Sequence, residues 1–84
     1  MKYTVEISVP ARKQIKRMPK LEKKKILDKI DSLSDNPRPF GYKKLNYYTE
    51  YFRVRVGSYR IIYTIQDRQL VVIVVEVTDR RDAY

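Results

Sequence analysis

The pattern of hydrophobic and polar positions changes its period twice along the chain. The first segment, residues 3–9, alternates strictly between the two classes. Its apolar positions are Tyr3, Val5, Ile7 and Val9. Side chains of an extended chain point to opposite faces in turn, so this alternation predicts a half-buried β-strand.

A helical period follows this strand. Ala11, Ile15 and Met18 recur at i, i+4 and i+7, which is the spacing of one helix face. Pro10 suits the first turn of such a helix, and Pro19 ends it because proline cannot continue a helix. The pattern predicts a short first helix between these two prolines.

A second, longer helix is predicted from Lys20 to the pair Asn36-Pro37, where the chain must leave the helical conformation. Its apolar positions at helical spacing are Leu21, Ile26, Leu27, Ile30 and Leu33. Because the two helices are adjacent in sequence, we expect them to form a hairpin.

The second half of the chain returns to a strand-like pattern. A connector with two prolines and a glycine, in which we expect one short extended piece, leads into three runs. The runs are Tyr51 to Val56, Tyr59 to Gln66 and Leu70 to Val77. Gly57-Ser58 predicts a two-residue hairpin loop, whereas the turn at Asp67-Arg68 lacks a glycine and leaves its register less certain. The run LVVIVVEV is apolar on both faces and is expected inside the sheet.

The element order β-α-α-β-β-β predicts an α+β fold. The helix hairpin packs on one face of a small, mainly antiparallel sheet. A chain of 84 residues can build one modest core but not two, and no repeat or linker divides it. We therefore expect a single domain over residues 1–84.

The hairpin around Gly57 places arginines close together. Arg53 and Arg55 share one face of their strand, and if Val56 pairs with Tyr59, Arg55 lies opposite Arg60. Like charges in that position destabilise a sheet, so an anionic ligand is expected there. The sequence leaves an alternative open, in which Arg53 and Arg55 form ion pairs on an exposed face. The candidate partners are Glu50, Glu76 and Asp79.

Charge narrows the choice of partner. Lys and Arg total 19 against 10 Asp and Glu, giving a net charge of +9. A polyanion is the expected partner, with nucleic acid first and an acidic protein second. All lysines lie between Lys2 and Lys44, and the last third of the chain uses only arginine, whose planar fork grips phosphate at two points. The run of residues 23–25 is either a solvated helix face or a contact with a nucleic-acid backbone.

Two missing residue types limit the chemistry. Without cysteine the chain has no disulfide framework or thiolate metal site, and without histidine it lacks the commonest general base and zinc ligand. We predict no metal site and no cofactor, so an enzyme here must work with Arg, Lys, Tyr or carboxylates. The longest apolar run, Leu70 to Val75, is far too short to span a bilayer, so a soluble, cytoplasmic protein is expected.

The sequence predicts core positions for some tyrosines and contacts with nucleic-acid bases for others. Tyr59 and Tyr63 alternate with isoleucines and are expected in the core. Tyr47, Tyr48 and Tyr51 are either at the edge of the core or available to stack on bases. Tyr84 follows two arginines in the tail EVTDRRDAY, a combination suited to stacking an RNA base while guanidinium groups hold its phosphates.

These segments together resemble the RelE-type toxins of the RelE/ParE superfamily. The resemblance covers nearly the whole chain and is most specific in RVRVGSYRIIY and in the tail TDRRDAY; ISVPARKQIKRMP and SDNPRPFGYKKL also look like the family. Members are small basic toxins, each paired with an antitoxin, and many cut messenger RNA on the ribosome. The resemblance implies two helices on an antiparallel sheet and a metal-independent endoribonuclease that inhibits translation.

The resemblance also implies roles for individual residues. The catalytic set that it suggests is Arg53, Arg55, Arg60, Arg80 and Tyr84. We expect contacts with RNA or the ribosome from Lys23, Lys24, Lys25, Lys43, Lys44 and Arg81. Many relatives have glycine-histidine where this chain has Thr78-Asp79, and some have a loop carboxylate where it has Arg38. Neither of those groups can therefore serve as the base here.

The implied chemistry is attack of the RNA 2′-hydroxyl on the adjacent phosphate. The arginines would stabilise charge in the transition state, and Tyr84 would hold a base in line. Arginine is too basic to take the proton. The sequence therefore offers Tyr84, Asp79, Lys43, Lys44 or a group of the ribosome for proton transfer.

Three function classes follow from the sequence. The first is an mRNA interferase, with an acidic antitoxin, the ribosome and mRNA as partners. The second is a ParE-like toxin that inhibits DNA gyrase without cutting RNA, since the two branches share a fold. The third is a non-toxic basic nucleic-acid-binding module.

Overall fold

A computed structural model describes residues 2–46 and 50–79 of the chain. The elements in chain order are β1 (Thr4–Ile7), α1 (Val9–Lys16), α2 (Lys20–Asp35), β2 (Lys43–Lys44), β3 (Tyr51–Val56), β4 (Tyr59–Gln66) and β5 (Val71–Asp79). The strands form one sheet in the order β1-β5-β4-β3-β2, in which only β1 and β5 are parallel. The predicted α+β fold is confirmed. The short extended piece in the connector is β2.

The first helix starts and stops where local chemistry requires. Ser8 caps α1: its hydroxyl oxygen accepts a hydrogen bond from the backbone N–H of Ala11 at 3.2 Å. Pro10 lies in the first turn, where its missing N–H has no helical partner to lose. The helix ends at Lys16, and Pro19 is the N-cap of α2, so the two helices are separated by only three residues.

The core lies between the helices and one face of the sheet. Its buried residues are Ala11, Ile15, Ile26, Ile30, Leu33, Val54, Ile61, Tyr63, Val72, Val74 and Val77. On α2 the buried stripe follows i, i+4, i+7 from Ile26. Of the apolar positions of this helix, Leu21 and Leu27 lie off the buried stripe and are 66% and 42% exposed. The opposite face of the sheet, which we call the open face, has no helix on it in the described part of the chain.

The last strand is central, as its doubly apolar sequence predicted. β5 pairs with β1 on one side and with β4 on the other. It contains a β-bulge: Ile62 pairs with Glu76 and Tyr63 with Val74, which leaves Val75 as an extra residue. The bulge resets the alternation, so Val77 returns to the core and Glu76 lies on the open-face side.

Side chains of α1 complete the edge of β5 beyond the end of β1. β1 pairs only as far as Val74. The Ser8 hydroxyl donates to the carbonyl oxygen of Val75 at 2.6 Å, and the N–H of Val77 donates to Oε1 of Gln14 at 2.7 Å. These bonds replace a neighbouring strand at positions where the backbone would otherwise lack partners.

The two hairpin turns differ. Gly57, with φ of 60°, forms the two-residue turn that the sequence predicted, and Val56 pairs with Tyr59 across it. The second connection is longer than predicted. Gln66 pairs with Val71, so residues 67–70 form the loop, and Leu70 adopts a left-handed φ of 55°. No glycine marks this turn in the sequence.

Tyr63 is fully buried, which confirms its predicted core position, and Tyr59 packs against the same core. The Tyr63 hydroxyl donates to the carbonyl oxygen of Pro37 at 2.8 Å, joining β4 to the segment after α2. Burial raises the pKa of Tyr63 to about 12. Within residues 2–46 and 50–79, no helix is long and apolar enough to cross a bilayer.

Candidate functional site

The open face carries a cluster of cations at the end of the sheet formed by the β3–β4 hairpin. Arg53 and Arg55 alternate with Val54, which is only 3% exposed in the core. Because successive side chains of a strand point to opposite faces, the two arginines lie on the open face. Arg55 pairs in register with Arg60 of β4, as predicted from the hairpin.

The register of the sheet arranges this face in rows. One row runs Lys43, Arg53, Ile62 and Glu76 across β2, β3, β4 and β5. The next row, towards the hairpin turn, consists of Arg55, Arg60 and Thr78. We call Lys43, Arg53, Arg55 and Arg60 the basic patch. It brings together four of the residues for which the sequence predicted functional roles.

The basic patch is not neutralised by neighbouring carboxylates. Within the described residues the ion pairs are Lys2–Asp35, Lys24–Asp28 and Arg38–Asp67, and none includes a residue of the patch. Arg53 and Arg55 therefore form no ion pair with Glu50 or Glu76, two of the three carboxylates that the alternative named. Directly opposed like charges cost stability in a sheet, so stability does not explain the pairing of Arg55 with Arg60.

The other predicted lysines do not join the basic patch. Lys44 pairs with Phe52, a residue of the core-facing side, so it lies on the opposite face of β2 from Lys43. Residues 23–25 lie on α2, in the helix layer on the other side of the sheet. Lys24 forms an exposed ion pair with Asp28 at 3.3 Å, a contact worth at most about 1 kcal/mol.

Three predicted site residues lie outside the described part of the chain. They are Arg80, Arg81 and Tyr84. β5 ends at Asp79, immediately before this segment. Asp79 pairs with Tyr59, whose side chain packs against the core, so Asp79 lies on the other side of β5 from the basic patch.

Arg38 has a structural role that the sequence did not suggest. Its guanidinium donates to both carboxylate oxygens of Asp67, at 3.2 and 2.8 Å, and the Tyr3 hydroxyl donates to the same carboxylate at 2.7 Å. We call this group the Asp67 clamp. The hydrogen bonds from Arg38 and Tyr3 lower the pKa of Asp67, and the bond to Asp67 raises the pKa of Tyr3.

The clamp joins three parts of the chain that are distant in sequence. They are the residue just before β1, the segment after α2 and the loop between β4 and β5. The bidentate geometry requires the planar fork of arginine, which lysine cannot replace. No local pattern could have revealed the clamp, because its members are separated by 29 residues or more.

Two surface clefts flank the sheet. One, of about 650 Å³, lies between α1 and the end of β5 and is lined by Gln14, Arg17, Tyr59, Glu76 and neighbouring residues. The other, of about 520 Å³, lies at the opposite end and includes Arg38, Lys44, Phe52 and Asp67. Neither is deep, so the exposed basic patch is the more distinctive feature.

Comparisons with known proteins show which family has this architecture. By its fold the chain falls in the class of small toxins in which two helices cover one face of a mostly antiparallel sheet. The family model described as the ParE toxin of the type II toxin-antitoxin system, parDE, matches residues 5–84. The chain belongs to the RelE/ParE superfamily of type II toxin-antitoxin toxins.

Individual relatives agree with this assignment. RelE1 of Methanocaldococcus jannaschii, whose designation as a toxin is itself provisional, is 33% identical over 87 residues, spanning 100% of this chain and 97% of the relative. The chain also resembles one chain in the crystal structure of the RelBE2 toxin-antitoxin complex of Mycobacterium tuberculosis. The TM-score is 0.84 at 27% identity, and the match covers 95% of this chain and 100% of that chain.

A second solved structure is the archaeal RelE–RelB complex of Pyrococcus horikoshii OT3. Its TM-score is 0.83 at 28% identity, covering 95% of this chain and 97% of that one. Free Escherichia coli RelE, in a mutant form, matches with a TM-score of 0.80, 21% identity and coverage of 99% and 88%. At that identity the likeness is one of fold.

Proposed function

We propose that this toxin is a ribosome-dependent mRNA endoribonuclease that inhibits translation. The observation that carries the proposal is the basic patch, in which Arg55 and Arg60 face each other on the open side of the sheet without an ion pair to a described residue. A phosphate between them would relieve their repulsion and accept hydrogen bonds from both.

The reaction in this proposal is attack of the RNA 2′-hydroxyl on the adjacent phosphate. Arg53, Arg55 and Arg60, together with Arg80, stabilise the negative charge that develops on the phosphorus-bound oxygens. Tyr84 stacks on a base so that the 2′-oxygen lies in line with the leaving 5′-oxygen. No resident metal ion or cofactor has a part in this scheme.

In this proposal the ribosome holds the mRNA in an orientation that the protein's flat surface cannot impose. An exposed sheet face holds a flexible RNA poorly, whereas an mRNA fixed in the ribosome presents one phosphate in a defined orientation. Lys43 extends the basic patch along the RNA. Contacts with the ribosomal RNA backbone come from Lys23, Lys24, Lys25, Lys44 and Arg81.

The cognate antitoxin in this proposal is acidic and folds on binding. A net charge of +9 and an exposed basic patch favour a negatively charged segment. The solved structures of the M. tuberculosis and P. horikoshii relatives are toxin-antitoxin complexes, which supports a partner of this kind. Covering the basic patch would block access of RNA.

Inhibition of DNA gyrase is the second candidate, because the matching family model is named for ParE. The experiment that separates the candidates is induced expression followed by mapping of mRNA 5′ ends, with chromosomal integrity measured in parallel. We expect growth arrest with cuts inside translated codons, and none in purified RNA without ribosomes.

The control for this experiment is Arg68→Ala, which removes an exposed arginine in the loop between β4 and β5, away from the basic patch. It should arrest growth as the wild type does, whereas the Arg53, Arg55 and Arg60 triple alanine variant should not. Arrest with intact messengers and broken DNA would identify a gyrase inhibitor. Growth without arrest, even when the antitoxin gene is absent, would indicate a non-toxic nucleic-acid-binding module.

A further inference from the structure

One carboxylate lies beside the basic patch with no structural partner that explains it. Glu76 is half-buried on β5, pairs in register with Ile62 and forms no ion pair with any described residue. A negative charge here lowers the affinity of the patch for phosphate. A residue that weakens binding and makes no ion pair requires another explanation.

The position of Glu76 relative to Arg60 is fixed by the sheet. Arg60 pairs with Thr78, and Glu76 is the next residue on the open-face side along β5. Such diagonal neighbours have their backbones roughly 7–8 Å apart, within reach of long side chains. A phosphate held between Arg55 and Arg60 would therefore have Glu76 on β5 in the neighbouring row of the sheet, diagonal to Arg60.

The groups that the sequence offered for proton transfer are placed less favourably. Asp79 and Lys44 lie on the side of their strands away from the basic patch. Lys43 lies on the open face, where it is one of the cations of the basic patch. On sequence grounds Glu76 is a candidate ion-pair partner of Arg53 and Arg55, not a candidate for proton transfer. The bulge at Val75 keeps it on the open face, because strict alternation from Val72 and Val74 would place it in the core.

We propose that Glu76 is the general base that takes the proton from the attacking 2′-hydroxyl. This inference rests on the proposed function and deepens it. As the proton moves to the carboxylate, the bond from O2′ to phosphorus forms and the bond from phosphorus to O5′ breaks. The leaving O5′ takes a proton from water, and the resulting hydroxide removes the proton from Glu76. The products are a 2′,3′-cyclic phosphate and a 5′-hydroxyl.

The test is single-turnover cleavage of mRNA on ribosomes saturated with the toxin, between pH 6 and pH 8. The wild type should show a flat profile because a side chain, and not hydroxide, takes the proton. Glu76→Gln should be about 100- to 10,000-fold slower at pH 7. Its rate should rise about tenfold per pH unit, because hydroxide replaces the missing base. Glu76→Asp should keep the flat profile with a smaller loss.

Glu6→Gln is the matched control. Glu6 pairs with Ile73 on the same face but belongs to β1, on the far side of β5 from the basic patch. The Glu6→Gln substitution removes an equal charge from the same face and should leave both the cleavage rate and the pH profile unchanged. A Glu76→Gln enzyme that is slower but keeps a flat profile would show a structural role and overturn the proposal.

A substrate with sulfur in place of the leaving O5′ separates base from acid. Sulfur leaves without protonation, so loss of an acid would be rescued by this substrate and loss of a base would not. Rescue of Glu76→Gln would overturn the assignment. If the wild type cuts no ribosome-bound mRNA at any pH, the proposed function and the assignment both fail; if it cuts and Glu76→Gln cuts equally well, only the assignment fails.

Discussion

Arg55 and Arg60 are a cross-strand pair whose placement opposes the stability of the sheet. They lie directly opposite each other on β3 and β4, in an antiparallel ladder whose cross-strand Cβ atoms are about 5 Å apart. Almost any neutral partner would stabilise the sheet more. Their alternation with buried Val54 and Ile61 nevertheless fixes them on the open face, because a shift by one residue would bury the charges.

Replacing Arg60 by alanine should separate activity from stability. We expect cleavage on the ribosome to fall by about 100-fold or more, the usual cost of losing one group that stabilises transition-state charge. The free energy of unfolding should stay within about 0.5 kcal/mol of the wild type or rise, because a repulsive pair has been removed. Urea denaturation and single-turnover cleavage measure the two quantities. An unfolded or strongly destabilised Arg60→Ala protein would identify Arg60 as a structural residue instead.

Tyr63 gives the opposite case, in which a polar atom is buried for structure alone. In Tyr63→Phe the carbonyl of Pro37 loses its donor, so unfolding should become easier by about 1–3 kcal/mol at pH 7. The pKa of Tyr63 is raised to about 12, so its contribution is fully present below the ordinary tyrosine pKa and is lost as pH rises through the folded value.

The check is urea denaturation of both proteins at pH 7 and at pH 11. The gap between wild type and Tyr63→Phe should shrink at the higher pH, whereas effects of the other tyrosines cancel in the comparison. A gap that stays constant would mean that ionisation of Tyr63 is not linked to unfolding.

At the scale of elements, the sequence predicted most of the architecture because most signals were local. The bounds of β3 and β4 agree with the prediction at both ends, since Gly57 forces a two-residue turn and sets the register. Alternation also identified β1, and proline positions separated the two helices. The Arg55–Arg60 pair followed from the hairpin alone.

The features that escaped prediction depend on distant partners. The bulge at Val75 is stabilised by Ser8 and Gln14 of α1, 67 and 63 residues away from their partners in sequence. The exposure of Leu27 depends on where α2 meets the sheet, which periodicity alone does not reveal. The bulge also keeps Glu76 on the open face, which strict alternation from Val74 would not. The predicted roles of Arg80, Arg81 and Tyr84 stay predictions.

The Asp67 clamp predicts a pH effect at the element scale. The pKa of Asp67 is lowered by Arg38 and Tyr3, so its stabilisation is present above the ordinary carboxylate pKa, near 4, and is lost as pH falls through the lower folded value. Asp67→Asn should therefore lower the urea midpoint at pH 7. This difference should diminish as the wild-type carboxylate becomes protonated in acid.

The matched control for the clamp is Asp31→Asn, which neutralises an exposed carboxylate of α2 that has no ion pair with a described residue. It should leave the urea midpoint nearly unchanged at both pH values. Equal effects of the two substitutions would mean that Asp67 acts through the net charge of the protein. The clamp would then contribute nothing specific.

At the scale of the whole molecule, the cations are divided between two sides of the sheet. The basic patch lies on the open face, while Lys23, Lys24 and Lys25 lie on the helix layer behind it. A flat patch can contact one RNA strand, but cations on opposite sides of a small domain cannot all contact the same short segment. This arrangement favours a particle large enough to contact both sides, such as a ribosome with its mRNA.

Replacing Lys23, Lys24 and Lys25 together by alanine should weaken attachment to the ribosome without changing the chemical step. Each phosphate contact contributes about 0.7–0.9 to the slope of log affinity against log salt concentration, so the slope should decrease by roughly two. The slope should decrease by less than the loss of three full phosphate contacts would cause, because Lys24 already pairs with Asp28. The single-turnover cleavage rate at saturating toxin should equal that of the wild type.

Ribosome-binding titrations at several salt concentrations, with Arg60→Ala measured alongside, provide the test. The Arg60→Ala variant should bind nearly as well as the wild type and fail to cut. If the triple lysine variant instead binds with an unchanged salt slope, the helix layer does not contact the ribosome and the lysine run is an ordinary solvated surface.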